Sequence, residues 1–245
     1  MNKSSPQTIT NNLIEKISSY NLDNLPSEFE LKSLLRDADK LKKVSPAEGW
    51  MLLGMIHSLS DYSEESIYAF ENALALSTNQ FNLVLENYIG SLEYLGKFED
   101  ICDLLKKYIS DDNHDLISSA ITIFARYGLI DDALSYQRKL KKLNIKIPLE
   151  AQLNYLVALC SQLNIDYSHL HEIYLFALSS MHKAGVMPNK MEFMEADDAL
   201  IIIFYVNTSA ENMSNIEWSI VDKLAESNTS PAILKKIVPI LKSQS

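Results

Sequence analysis

The chain has 245 residues, 47% hydrophobic and 9% aromatic, with six glycines, seven prolines, two cysteines and a formal net charge of −10. This is ample apolar content for one continuous core or two small ones, and the scarcity of helix breakers points away from sandwiches and barrels. An acidic chain with no large basic stripe counts against nucleic acid, and none is expected as a partner; two cysteines make no disulfide scaffold.

In chain order, the first expected helix covers residues 8–20 and the second 28–43. The second opens on Ser27-Glu28-Phe29-Glu30, the pattern of a capping box. Ser45-Pro46-Ala47-Glu48 repeats that box with proline at the first helical position, where its missing N–H is not needed. Trp50, Leu53, Gly54 and His57 then follow at helical spacing, and Ser66, Phe70 and Ala73 sit on the next helix. Gly54 and Ala73 fall where two helices cross closely. Leu85, Tyr88, Ile89 and Leu92 make an i, i+3, i+4, i+7 stripe, as do Ile117, Ala120, Ile121 and Phe124. Each stripe is followed by a turn glycine and a second helix: Gly96 before Ile101 and Leu105, and Gly128 before Ala133, Gln137 and Leu140. Asp61 lies 35 residues before Gly96, and Gly128 lies 32 residues after it. Gly128 supplies the left-handed conformation that ends a helix.

Further helices are expected at 149–163, 168–184, 190–206, 215–226 and 231–241, with Gly185 and Pro188 as a stop and a turn and Pro239 ending the last. Within 190–206, Ile201, Ile202, Ile203 and Phe204 read as a buried helix face. Glu192, Glu195, Asp197 and Asp198 read as acidic complements of a helix N-terminus.

The pattern W-x2-L-G-x2-H followed by S-x3-F-x2-A, repeated weakly twice with a period near 34, resembles the tetratricopeptide repeat, a helix–turn–helix unit that buries its apolar face only against stacked neighbours. The resemblance covers roughly residues 46–148. Departures are Tyr88 and Ile89 at the small pair, Ile101 at a small position and Gln137 at the aromatic one. It implies an all-α fold, a right-handed α-solenoid of such hairpins. Residues 1–45 would be N-terminal helices packed on the solenoid, 46–148 about three repeats, and 149–245 helical hairpins continuing it. An irregular helical bundle is the alternative. Met181 to Asn189 also resembles the end of a single pentatricopeptide repeat, read here as a helix stop and turn.

In the tetratricopeptide family the first helix of each unit lines a groove. Transferred by spacing, this gives Met51, Met55, Glu86, Gly90, Glu93, Tyr94, Ser118, Thr122 and Arg126 as partner-binding positions. Only Arg126 fits the family's carboxylate clamp, so an acidic C-terminal tail is not the expected ligand. Methionines beside glutamates suit a basic or amphipathic protein segment.

Charge is uneven: residues 46–113 carry three basic and twelve acidic side chains, a net −9. A solvated acidic face and a field that steers a basic partner both fit. No nucleophile elbow, phosphate loop, dinucleotide fingerprint or zinc-protease motif occurs. His169, His171 and Glu172 do not share a helix face, and the isolated Cys102 and Cys160 read as buried thiols. Residues 1–20 lack a signal-like pattern, and 199–206 is too short for a membrane span.

The expectation is a cytoplasmic, non-catalytic adaptor or chaperone without cofactor or metal. By resemblance it would serve a bacterial secretion or virulence system, with a homo-oligomer open. The alternative function is a structural subunit docking through C-terminal helices, where Lys235, Lys236 and Lys242 accompany Ile233, Leu234, Ile237 and Ile240.

Overall fold

A computed structural model describes residues 6–20, 24–110, 112–227 and 229–243. Among them lie twelve helices and three strands, and the chain divides into two compact units, Met1–Ile101 and Cys102–Ser245. Among the described residues no helix is long and apolar enough to cross a membrane.

The first unit is built around α3 (Pro46–Leu59), which packs against α1 (Pro6–Ser18), α2 (Glu28–Lys42), α4 (Ser63–Leu76) and α5 (Phe81–Tyr94). Its sequence is apolar almost all round, as a helix enclosed by neighbours must be. Met51, Leu52, Leu53, Gly54, Met55 and Ile56 are all buried. The Gly54–Phe70 crossing expected from the motif is formed, because a Cβ on Gly54 would lie 2.5 Å from the Phe70 ring. That ring stacks on Tyr88 at 4.7 Å between centroids, and the Ser66 hydroxyl donates to the Gly54 carbonyl at 2.9 Å.

Of the two capping boxes, that of Ser27 is complete, with Glu30 returning a bond to the Ser27 N–H. Those hydrogen bonds from Ser27 hold the Glu30 carboxyl below its ordinary pKa. The box at Ser45 is not made. Glu48 turns inward instead, accepting from Thr10 Oγ1 at 2.6 Å and from Gln80 Nε2 at 2.6 Å.

Asp61, Gly96 and Gly128 occupy equivalent turns, with φ of 58°, 68° and 72°. Each is followed by a backbone bond back five residues, Tyr62 to His57, Lys97 to Leu92 and Leu129 to Phe124. This is the Schellman helix stop, which requires one left-handed residue. Asn144, Asn164 and Gly185 end three later helices in the same way.

α6 (Phe98–Tyr108) spans the division between the units. The second unit continues with α7 (His114–Arg126), α8 (Ile130–Lys142), α9 (Glu150–Leu163) and α10 (Tyr167–Lys183). Gln137, at the family's aromatic position, is buried on α8, and its Nε2 has no partner among the described residues.

The helix expected at 190–206 is not formed. In its place stand β1 (Lys190–Ala196) and β2 (Ala199–Val206), paired antiparallel across a two-residue turn. Asp197 and Asp198 both have positive φ, 51° and 58°, which a type I′ hairpin demands and which Asp tolerates. They are turn residues, not dipole complements. Ile201, Ile202 and Ile203 are β-branched and suit the central strand of a sheet.

The helix expected at 231–241 is also replaced, by the four-residue α12 (Pro231–Leu234) and by β3 (Ile237–Ser243). β3 pairs parallel to β2 after a crossover through α11 (Ala210–Glu226). The amphipathic C-terminal docking helix is therefore absent. Pro239 sits in edge strand β3, on the same register side as Leu241. The Leu241 N–H points away from β2 and donates to Glu217 of α11 at 3.0 Å. The missing N–H of Pro239 thus belongs to the outer edge, where no ladder bond is lost.

One sheet face, with Met191 and Phe193 of β1 and Ile202 and Phe204 of β2, meets the helices. The Tyr174 ring of α10 lies 6.5 Å from Phe193 and 5.8 Å from Phe204.

Candidate functional site

Each unit has a concave site that includes residues of the expected groove. In the first unit α3 and α5 run side by side, and the end of α1 with its following turn closes one side. The result is a pocket of about 210 Å³ with Ile17 and Tyr20 on the α1 side, Met55 and Leu59 on α3, and Glu86, Gly90 and Tyr94 on α5. Met55, Glu86, Gly90 and Tyr94 of the expected groove positions meet here. The spacing explains why: Glu86, Gly90 and Tyr94 are successive i, i+4 positions on one face of α5.

Met51 is fully buried instead, with its sulfur 3.6 Å from Asn87 Nδ2. Glu93 is half-buried and does not line this pocket. Burial, and secondarily Asp61, raises the Tyr94 phenol above its usual pKa. Gly90 opens directly onto the pocket, with nothing within 4 Å of where a Cβ would be. Gly90→Ala is expected to stabilise the chain by about 0.5–1 kcal/mol, read from urea unfolding, since it restores helix propensity with no clash.

In the second unit Thr122 and Arg126, one turn apart on α7, line a larger cavity of about 320 Å³. Leu149, Leu153 and Leu156 enter it from α9 and the residue before it, and Pro188, Lys190, Met191 and Phe193 from β1 and its approach. Sequence reasoning reached Thr122 and Arg126 but missed the β1 side, because it read 190–206 as one helix. Ser118 is half-buried on α7 and does not line this cavity.

His57, His171 and Glu172 make local contacts. His57 is half-buried, its ring 6.4 Å from Tyr62, and burial lowers its pKa while Glu65 and Asp39 oppose the shift. His171 Nδ1 lies 2.6 Å from the Tyr127 carbonyl, and Glu172 accepts from Thr229 at 2.7 Å, so these neighbours in sequence serve different partners. Among the described residues no group of three or more His, Cys, Asp or Glu is placed to hold a metal ion.

Neither Cys102 nor Cys160 forms a disulfide, and both are buried. Burial pushes the Cys160 thiol up to about 11. At pH 8 it therefore stays a protonated, shielded thiol. Iodoacetamide is expected to leave it unmodified in the native chain and to label it in denaturant, with peptide mass spectrometry as the readout.

No family model, no curated protein and no solved structure matches this chain.

Proposed function

We propose that the chain is a non-catalytic adaptor or chaperone of tetratricopeptide-like helical hairpins that holds a basic, amphipathic segment of a protein partner against α3 and α5. The observation that carries this reading is the convergence of Met55, Glu86, Gly90 and Tyr94 on one pocket. A methionine adapts to apolar side chains of varied shape, a tyrosine offers a flat amphipathic surface, and the glutamate selects for a basic partner. The equivalent left-handed turns at Asp61, Gly96 and Gly128 support the repeat reading. Acidic helical-repeat proteins include chaperones of bacterial secretion systems, and a cytoplasmic role of that kind is part of the proposal.

The test is a pull-down from native lysate on the full chain at two salt concentrations, with Gly90→Trp and Glu86→Lys alongside. The expected result is a basic protein retained by the wild type, weakened by salt and by Glu86→Lys, and lost with Gly90→Trp while circular dichroism stays unchanged. A partner retained equally by both variants would place binding elsewhere on the chain.

A further inference from the structure

We propose that the outer edge of β1, with the cavity beside it, binds an extended segment of a protein partner. The segment carries an apolar side chain at every second residue and adds to the sheet as an antiparallel fourth strand. This site is independent of the pocket of the first unit.

The sheet order β1-β2-β3 leaves two edges. The edge of β3 is closed: Pro239 has no N–H, and the N–H of Leu241 is taken by Glu217 at 3.0 Å. The edge of β1 is open. The two-residue turn makes Ala196 and Ala199 a hydrogen-bonded pair, and alternation then directs the backbone groups of Lys190, Glu192 and Met194 at β2. The opposite side of β2 agrees with this phase, since the Leu200 N–H turns away from β1 and donates to the Lys236 carbonyl at 2.8 Å. The N–H groups of Met191, Phe193 and Glu195 therefore point outward, and they have no acceptor among the described residues. No residue of β1 is buried, whereas most of β2 is. An uncovered edge of this kind, with no proline, is a template for another strand.

The cavity of about 320 Å³ runs along this edge. Lys190 and Met191 point to opposite faces of the sheet, yet both line it, so it reaches the rim of the strand and does not lie only beneath the sheet. Its helix side is apolar, with Leu153 and Leu156 of α9 almost fully buried, and Phe193 joins Met191 on its sheet side. At about 30 Å³ per water-sized group it accepts on the order of ten such groups, the bulk of about two or three leucine side chains.

The open edge and the cavity call for the same residues of the partner. In an antiparallel strand beside β1, the residues opposite Met191 and Phe193 turn their N–H and C=O groups to β1 and their side chains to the helix face, where the cavity lies. Main-chain bonds then supply affinity and the cavity selects apolar side chains, which is the mode of strand addition. A second copy of β1 is a poor occupant. Only the register with Met191 opposite Phe193 gives it apolar residues at both positions, and that register sets Glu192 of one copy against Glu192 of the other.

The test uses the full chain and the neutral peptide acetyl-Gln-Leu-Thr-Leu-Thr-Leu-Gln-amide, whose lack of charge gives it no attraction to the acidic first unit. Amide exchange read by NMR is expected to be fast at Met191, Phe193 and Glu195 in the free chain, slow at Glu192 and Met194, and slow at all five with peptide. Isothermal titration is expected to show saturable binding that falls at least about tenfold when the leucine nitrogens are methylated and changes less than about twofold when the threonine nitrogens are. Met191→Pro removes one outward donor without touching the β1–β2 ladder, and is expected to bind at least about tenfold more weakly than Met191→Ala, which loses only the side chain.

Absence of saturable binding, or equal effects of methylating leucines and threonines, would overturn the proposal. So would a dimer in sedimentation whose Met191, Phe193 and Glu195 amides are already protected without peptide, because a second copy would then hold the edge. The peptide series is read on the wild type, so a Met191→Pro chain that fails to fold leaves the test intact.

Discussion

Replacing Gly49 by alanine is expected to destabilise the first unit by about 2–3 kcal/mol, the upper part of the range for overpacking a close contact. In an exposed helix the same change would stabilise by about 0.5–1 kcal/mol, because alanine loses less backbone entropy than glycine. Contact geometry reverses the sign here. A Cβ on Gly49 would lie 2.3 Å from Lys42 Cα, 2.4 Å from Lys42 N and 2.5 Å from Lys42 Cβ. Two of those atoms are backbone, so no rotamer change relieves the clash and α2 must move away from α3. Lys42 also places its ammonium 4.3 Å from the centroid of the Trp50 ring, so the displacement removes a cation–π contact at the same corner.

The two tryptophans, Trp50 and Trp218, fall in different units. Urea unfolding followed by fluorescence in a Trp218→Phe background therefore reads the environment of α3 directly. A neutral or stabilised Gly49→Ala would show that α2 does not approach α3 as described.

Glu48→Leu is expected to destabilise the first unit by about 2 kcal/mol and to loosen α1 selectively. Glu48 is only 3% exposed, and its two oxygens accept one bond each from Thr10 of α1 and Gln80 before α5. Leucine matches the volume but removes both acceptors, and a buried donor left unsatisfied costs about 1–3 kcal/mol. The Thr10 hydroxyl keeps the Pro6 carbonyl at 3.0 Å as an alternative acceptor and Gln80 keeps Gln7 Oε1 at 3.2 Å, so what is lost is the tie that Thr10 made between α1 and α3.

Glu48→Gln keeps an acceptor for Gln80 and is expected to cost less than half as much. Hydrogen exchange read by mass spectrometry separates the outcomes: faster exchange in 6–18 with little change in 81–94 is expected for Glu48→Leu. Equal destabilisation by leucine and glutamine would mean that the carboxylate's charge, and not its hydrogen bonds, holds the three segments together.

The sequence by itself determined the features written in local chemistry. Helical stripes of the Leu85–Leu92 and Ile117–Phe124 kind place one apolar face whatever the neighbours are, and the left-handed helix stops fall on glycine, asparagine or aspartate. The capping box at Ser27 is equally local, since all its atoms belong to four successive residues. The same periodicity puts Glu86, Gly90 and Tyr94 on one face of α5, and Met55 of α3 was added to them by the family resemblance.

Tertiary structure decided what depends on partners distant in the chain. Glu48 satisfies the rule for a helix start, yet a buried pair of donors 38 and 32 residues away in sequence claims it. Gly49 looks like a tolerated helix glycine until α2 comes within van der Waals distance. The 190–206 segment carries an apolar run that a buried helix and a central strand share, and periodicity alone does not separate them. Positive φ at Asp197 and Asp198, and a parallel partner about 40 residues downstream, settled it as a strand. The cavity of the second unit depends on that strand. Its α7 side was legible as helix spacing, and its β1 side arises only when the hairpin folds onto α9 and α10.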